Sequence, residues 1–411
     1  MLNQSINEKN LKLLKGRTFQ KFLKGNDSES AFTKVLDDLN NKLSDSAYAF
    51  DDFVPKMVNG KPGYDCANPE DELVLKKLND NIKRLFKVKT SDRHAIVKQT
   101  ISLLQDSQPI SIIRLDIKHF YENIDRNKII SFVNNEWLLS HQNRMILKSF
   151  NESSQITSTP GLPRGLSISS TLSELGLRKF DSKVRKIKDV YFYGRFVDDM
   201  VIFCTKNPGE IIDEISDLLT DLDLNLEFND KTFIFNAEAD NKKTEFIDYL
   251  GYKIKFETSP EQTKPRELTV QISDKKIHKI KDRLHKSFRS YLRTRTFDLL
   301  LARLKFLTGN QYIIGDIDRT KLKSGIYYNY PLLTTNFQLK QLDTFYQKLI
   351  ISKAPHIEKS MSMIKKHNST GGVKKNSRLQ QIQRMSFSFG FEQKIMNSFD
   401  RKISRKIKGC W

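Results

Sequence analysis

The chain has 411 residues, room for two or three domains with sizeable cores, and its 10% aromatic content is that of a globular rather than a disordered polymer. No run of eighteen apolar residues occurs, which excludes a membrane span of the usual kind, and Cys66, Cys204 and Cys410 are too few and too scattered for a disulfide framework or a metal clip. The net charge of +21 is segregated: residues 271–411 hold 30 Lys and Arg against 9 Asp and Glu, so the first 270 residues balance at 40 of each. Such one-sided positive charge points to a polyanion held mainly by the C-terminal third.

The opening residues, Met1 to Glu8, lack a signal-like apolar stretch, and with the reduced cysteines this sets a cytoplasmic expectation. Residues 1–50 read as helical, with Leu11, Leu14, Phe19, Phe22 and Leu23 near helical spacing and Lys15, Lys21 and Lys24 outward. Residues 51–70, with Pro55, Pro62, Gly63 and Pro69, read as an irregular connector, and residues 70–86 as a helix carrying Leu73, Leu75, Leu78, Ile82 and Leu85. Basic and polar residues then alternate from Lys87 to Lys98.

Ile112 to Lys118 reads as a strand with Asp116 near its end, and Asp125 as the cap of a helix starting at Arg126. Gly161-Leu-Pro-Arg-Gly165 is a small-residue loop leading into a helix, where backbone can approach a ligand closely. Phe192–Val197 and Met200–Phe203 read as two strands, placing Asp198 and Asp199 together at the tight turn of a hairpin. Adjacent carboxylates repel, and a divalent cation with a preference for hard oxygen ligands removes the repulsion. Asp116 lies 82 residues before Asp198, enough for a helical excursion between two strands of one sheet. Three carboxylates on adjacent strand ends suit a two-metal site, with ions about 3.5–4 Å apart, for in-line phosphoryl displacement.

Downstream, residues 210–222 form an amphipathic helical pattern and Phe228 to Thr232 a polar turn with Lys231. From Ser273 the pattern is helical and basic, with Lys276, Lys279, Arg283, Lys286 and Arg293 recurring along it and Ile277, Ile280, Leu284 and Phe288 on another face. Residues 299–307 and 338–351 continue helical, Ile326 to Tyr330 is an aromatic cluster, and residues 367–376 read as a link before a basic segment, Arg378 to Trp411.

Taken together, Leu115-Asp-Ile-Lys-His-Phe-Tyr121, Leu162-Pro-Arg-Gly165 and Phe196-Val-Asp-Asp199 resemble, in order and spacing, motifs A, B and C of reverse transcriptases. The likeness runs over roughly residues 85–330 and is greatest to bacterial retron, group II intron-like and abortive-infection or defence-associated enzymes. It implies an α+β right-hand polymerase with fingers, a palm of antiparallel sheet with helices on one face, and a helical thumb. The implied divisions are 1–110 (N-terminal region and fingers), 111–270 (palm with fingers insertion), 271–365 (thumb) and 366–411 (basic extension).

By the same resemblance Asp116, Ile117, Asp198 and Asp199 hold two Mg²⁺ ions, with Mn²⁺ as the alternative. Lys231, in a shortened motif D, is the general acid for pyrophosphate, and Arg93 and Lys98 meet the triphosphate. Tyr121 takes the place of the ring that excludes a ribose 2′-hydroxyl. Arg164, beside Gly165 at the nucleotide, replaces a glutamine that contacts the nascent pair, and Phe196 replaces a tyrosine. Leu250 and Gly251 are the primer grip, and Lys276, Lys279, Arg283, Lys286 and Arg293 follow a duplex backbone.

The implied partners are an RNA template, a dedicated noncoding RNA in an antiphage system, a DNA product, dNTPs, and either a second defence protein or further copies of the chain, with no membrane. Rival readings are a template-independent or protein-primed nucleotidyltransferase, an RNA polymerase of similar palm, and a catalytically silent RNA-binding scaffold. No RNase H, integrase or endonuclease segment is recognisable, which argues against a mobile intron or retrovirus.

Overall fold

A computed structural model describes residues 2–14, 28–44, 48–58, 60–108, 110–205, 207–237, 243–258, 264–314, 321–368 and 377–411. The chain divides into two compact units, the first built from residues 1–96, 108–241 and 315–319 and the second from 97–107, 242–314 and 320–411. Among the described residues no helix is long and apolar enough to cross a membrane.

In the first unit α1 (Glu8–Leu14) and α2 (Ser28–Ser44) pack on α3 (Pro69–Leu85), burying Leu11, Phe32, Leu39, Leu73, Leu78 and Ile82. The helical reading of residues 70–86 holds. Asn68 caps α3 by accepting from the Asp71 amide at 2.8 Å, and Pro69 supplies a first-turn residue that needs no donor. Phe19, Phe22, Leu23, Lys15, Lys21 and Lys24 lie outside the described residues.

The expected connector at 51–70 is instead largely a hairpin, β1 (Val54–Val58) against β2 (Lys61–Asp65). Pro55 and Pro62 had argued for irregular chain. Both sit at alternate register positions of a two-stranded ribbon, opposite Tyr64 and Met57, where an edge residue's N–H points away from its partner.

After α4 (Arg93–Leu104) comes β3 (Ser111–Ile117), buried along its whole length. The segment α5 (Phe120–Asn123), α6 (Arg126–Asn135), α7 (His141–Glu152), α8 (Ser154–Thr157), α9 (Ser167–Gly176) and α10 (Arg178–Val184) is the helical excursion that the spacing of the aspartates required. Asp125 caps α6 by accepting from the Lys128 amide at 2.9 Å. The chain returns as β4 (Val190–Phe196) and β5 (Asp199–Cys204), then α11 (Pro208–Thr220), β6 (Leu226–Glu227) and β7 (Phe233–Asn236). The sheet is antiparallel, in the order β4-β5-β3-β6 with β7 also on β3, and α11 packs on β3 and β7. A strand with neighbours on both edges and helices over it has no polar face, which is why β3 reads Ser-Ile-Ile-Arg-Leu-Asp-Ile rather than alternating.

In the second unit β8 (Thr244–Tyr249), β9 (Tyr252–Glu257) and β10 (Leu268–Ile272) form an antiparallel meander. It is followed by α12 (Asp274–Thr294), α13 (Phe297–Thr308), the hairpin β11 (Asn310–Ile314) and β12 (Lys321–Gly325), α14 (Phe337–Ile350) and α15 (Pro355–Asn368). Most of the expected link, residues 369–376, falls outside the described residues. Beyond it α16 (Arg378–Gln383), α17 (Phe387–Glu392), β13 (Met396–Asn397) and α18 (Arg401–Lys408) pack back within this unit. β13 pairs with β11, and the buried Arg303 donates to the carbonyls of Lys406 and Ile407 at 2.9 and 3.3 Å. The aromatic cluster packs internally: Tyr330 meets Tyr252 edge-on at 5.7 Å and Tyr327 meets Phe391 at 5.2 Å.

Candidate active site

The register of β3 against β5 sets Asp116 directly opposite Asp199, and Asp116 is only 4% exposed. The hairpin turn between β4 and β5 holds two residues, Val197 and Asp198, because Phe196 pairs with Asp199. Asp199 is therefore the first residue of a strand, and only Asp198 lies in the turn, one position from the expected arrangement. Val197 alone of the two has a positive φ, +63°, as in a type II′ turn, a conformation costly for a β-branched residue. Two contacts hold it. Ile117 donates its amide to the Asp198 carbonyl at 3.0 Å, and Arg195 donates to the Val197 carbonyl at 2.8 Å. Arg195 is itself buried and anchored by Asp181 at 2.7–2.8 Å and Glu174 at 2.9 Å.

Two cations of the chain face the three carboxylates. Arg114, two residues before Asp116 and thus on the same face of β3, grips Asp199 with both prongs, Nε to Oδ1 at 3.0 Å and Nη2 to Oδ2 at 2.8 Å. Lys231 donates to Asp116 Oδ2, which Asn229 also approaches at 3.4 Å, and Asn229 holds the Lys231 amide at 2.8 Å. Burial pushes the Asp198 carboxyl above its ordinary value, and the Asp116 charge adds to this. Asp199 is raised by burial against the opposing pull of Arg114. For Lys231 burial works against the ammonium, but its bond to Asp116 and the three aspartate charges carry its pKa upward. The Asp198 and Asp199 carboxyls are thus more basic, and the lysine more firmly protonated, than they would be in water.

These acidic residues lie inside a stretch, residues 71–254, that matches the family Reverse transcriptase (RNA-dependent DNA polymerase). The chain carries a reverse transcriptase domain. Its α+β right-hand polymerase fold is the one expected from the sequence. No curated protein matches the chain. Solved structures that it resembles include apo telomerase from Candida tropicalis truncated from the C-terminal domain, 12% identical over 59% of this chain and 60% of that one, with a TM-score of 0.37. Another is telomerase from Candida albicans in complex with a TWJ fragment of telomeric RNA, 14% identical over 73% of this chain and 54% of that one, with a TM-score of 0.33. The chain thus spans less than two thirds of either telomerase.

Within the reverse transcriptase domain, Tyr121 lies on the single turn α5, its ring against Phe120 at 5.1 Å. The loop 161–165 is wedged between α5 and the β1–β2 hairpin. Gly161, at φ +63°, would drive a Cβ to 2.1 Å from the Tyr121 carbonyl oxygen, and Gly165, at φ +92°, to 2.5 Å from that of Tyr64. Leu162 donates to the Tyr121 carbonyl at 2.7 Å and Tyr64 to that of Arg164 at 2.8 Å. The Arg164 side chain engages Glu122, Nε to Oε1 at 2.8 Å and Nη2 to Oε2 at 3.0 Å, with its guanidinium 4.8 Å from the Tyr121 ring centre. Arg93 is half-buried in the first unit, and Lys98, exposed on the same helix, counts with the second.

In the second unit Leu250 and Gly251, at φ +46° and +85°, are the two-residue turn of the β8–β9 hairpin, the geometry of a type I′ turn. Lys276, Lys279 and Arg293 are exposed on α12, and Lys286 pairs with Asp282 at 2.8 Å. Arg283 stacks over the Trp411 ring at 4.8 Å, where burial lowers its pKa.

Among the described residues no three His, Cys, Asp or Glu side chains are disposed to hold a metal ion as they stand; Asp199 is bonded to Arg114 and Asp116 Oδ2 to Lys231. The donor chemistry nonetheless fits a hard divalent cation. Asp116 Oδ1 is buried with no hydrogen-bond partner, beside a second carboxylate, Asp198, whose charge the protein leaves poorly compensated. Sequence reading missed Arg114, Glu122 and Arg195. Arg114 had a signal: a lone charge in an apolar strand, two residues from an aspartate, needs a partner on its own face. Nothing in the sequence links Glu122 to Arg164, 42 residues on.

Proposed function

We propose that the chain is an RNA-directed DNA polymerase that extends a primer with deoxynucleoside triphosphates by two-metal phosphoryl transfer. The observation that carries this reading is the convergence of Asp116, Asp198 and Asp199 on one buried sheet end inside the reverse transcriptase domain. Asp116 and Asp198, with the Ile117 backbone beside them and Asp199 kept in place by Arg114, would hold Mg²⁺ or Mn²⁺ there. Bound metal would activate the primer 3′-hydroxyl and neutralise the departing pyrophosphate. Lys231, firmly protonated, would give its proton to the pyrophosphate oxygen as the bond to the α-phosphorus breaks. Tyr121 stands against the nucleotide sugar, with Gly165 beside it, and Arg93 and Lys98 meet the triphosphate. Leu250 and Gly251 grip the primer, and Lys276, Lys279, Arg283, Lys286 and Arg293 follow the phosphates of the template–product duplex.

The finer reading is antiphage defence in bacteria, with a dedicated noncoding RNA as template and a second protein or further copies as partner. It is supported by the motif likeness and by the positive charge of the C-terminal third. A second reading, synthesis without a template, is favoured by one observation: Arg164 is engaged with Glu122 rather than presented to a base pair.

The test is sequencing of nucleic acid copurified with the wild type and with Asp198→Ala/Asp199→Ala. One defined RNA in both, with complementary DNA only in the wild type, is the expected result and would identify the template. DNA matching no bound RNA would move the assignment to untemplated synthesis. Full biological activity in the double mutant would leave an RNA-binding scaffold as the better account.

A further inference from the structure

We infer that Glu122, acting through Arg164, is a specificity-determining residue for the nucleotide sugar. Glu122, Arg164 and the Tyr121 ring form one fixed gate, and Arg164 is not itself a nucleotide ligand. This rests on the reading of Tyr121 as the residue against the sugar.

Excluding a single hydroxyl requires a ring held to a fraction of an ångström, because a ring that can yield admits the extra atom. Tyr121 has little local support for that. Its helix α5 is one turn of four residues, entered through His119 at φ +45° without a side-chain cap. What fixes the ring is its surroundings. Phe120 meets it edge-on and the Arg164 guanidinium covers it.

Arg164 can cover the ring only while something holds the guanidinium there. Its Nε and Nη2 are both committed to the two oxygens of Glu122. The pair is bidentate, charge-assisted and only partly exposed, at 20% and 32%. The charges show mutual dependence. The Arg164 hydrogen bonds hold Glu122 below the usual carboxylate range despite its partial burial, and Glu122 in turn raises Arg164. The backbone carries the same connection. The loop bearing Arg164 is bonded to the Tyr121 carbonyl through Leu162, and Gly161 leaves no room for a side chain between loop and α5. An arginine serving phosphate or base would keep its fork free. Here two of its three nitrogens are taken up by a residue adjacent to the gate.

The test uses the full chain on a primed RNA template with Mg²⁺, measuring kcat/KM for each dNTP and its ribonucleotide. Tyr121→Ala should lose most of the discrimination. Glu122→Gln and Arg164→Gln should each lower the deoxy-over-ribo ratio by about tenfold, chiefly through a fall in the ribonucleotide KM, and Arg164→Lys should recover part of it by keeping a cation over the ring. A general structural defect would instead lower both nucleotides together. Wild-type ratios in Glu122→Gln and Arg164→Gln, with discrimination lost in Tyr121→Ala, would overturn the clamp and leave the gate. A wild-type ratio in Tyr121→Ala would overturn both. If Arg164→Gln does not fold, Glu122→Gln, close to isosteric, decides alone.

Discussion

Arg114→Leu tests the electrostatic design of the site most directly. The Arg114 and Asp199 side chains are only 8% and 12% exposed and are joined by two hydrogen bonds of 2.8 and 3.0 Å. An exposed pair of this kind contributes about 0.2–1 kcal/mol. Removing one member of a buried pair costs about 3–5 kcal/mol, because the other charge stays behind in the sheet. The exposures place this pair in the second class. The cost should depend on pH with a definite sign. Burial already raises the Asp199 carboxyl, and Arg114 is what opposes the rise, so the variant's Asp199 lies higher still. A carboxyl raised in the folded state binds its proton more readily there than when unfolded. Its favourable contribution is complete below the unfolded value and lost as pH rises through the folded one. The deficit of Arg114→Leu should therefore be largest at pH 8 and shrink towards pH 5. Asp199→Asn in the same chain should recover most of it, since the stranded charge is gone. Equilibrium urea unfolding of the wild type, the two single variants and the double variant across that range measures this. A loss under about 1 kcal/mol, a pH-independent loss, or no recovery in the double variant would refute the reasoning.

Lys231→Ala should lower kcat by about 10²–10⁴ with little change in nucleotide KM, and should remove the alkaline limb of the kcat profile, read in single-nucleotide extension. Gly161→Ala combines a left-handed φ of +63° with a 2.1 Å clash against backbone and should cost about 3 kcal/mol or more, read as a fall in melting temperature. Replacing Lys276, Lys279 and Arg293 by Gln should weaken duplex binding evenly across sequences. Each should flatten the log–log salt dependence by about 0.9, read by filter binding from low to moderate salt.

The elements that carry the carboxylates were legible because their signal is local. Aspartates closing apolar, β-branched runs, with a helical stretch between, leave few arrangements other than neighbouring strands. The one-residue error at Asp199 came from turn geometry: two residues suffice to reverse the chain at Val197-Asp198, so the second aspartate belongs to the ladder. The β1–β2 hairpin was hidden because proline at an outward edge position looks, in sequence, like proline in a coil. The glycines at 161 and 165 announced a close approach, but not to what; their neighbours are backbone atoms of Tyr121 and Tyr64, far away along the chain. Arg164 was legible as unusual and opaque in role, since its role depends on an ion pair that only the fold creates.

The same stitching bears on how this chain can be recombined. Residues 161–165 touch α5 on one side and the β1–β2 hairpin on the other through main-chain atoms, with Gly63 also closed against the Arg164 carbonyl. Main-chain fit cannot be repaired by changing a neighbouring side chain. A chimera that imports residues 54–65 from another polymerase without 161–165, or the reverse, should be inactive or insoluble even if every catalytic residue is retained. Exchanged together with residues 120–123, the three segments should transfer as a cassette.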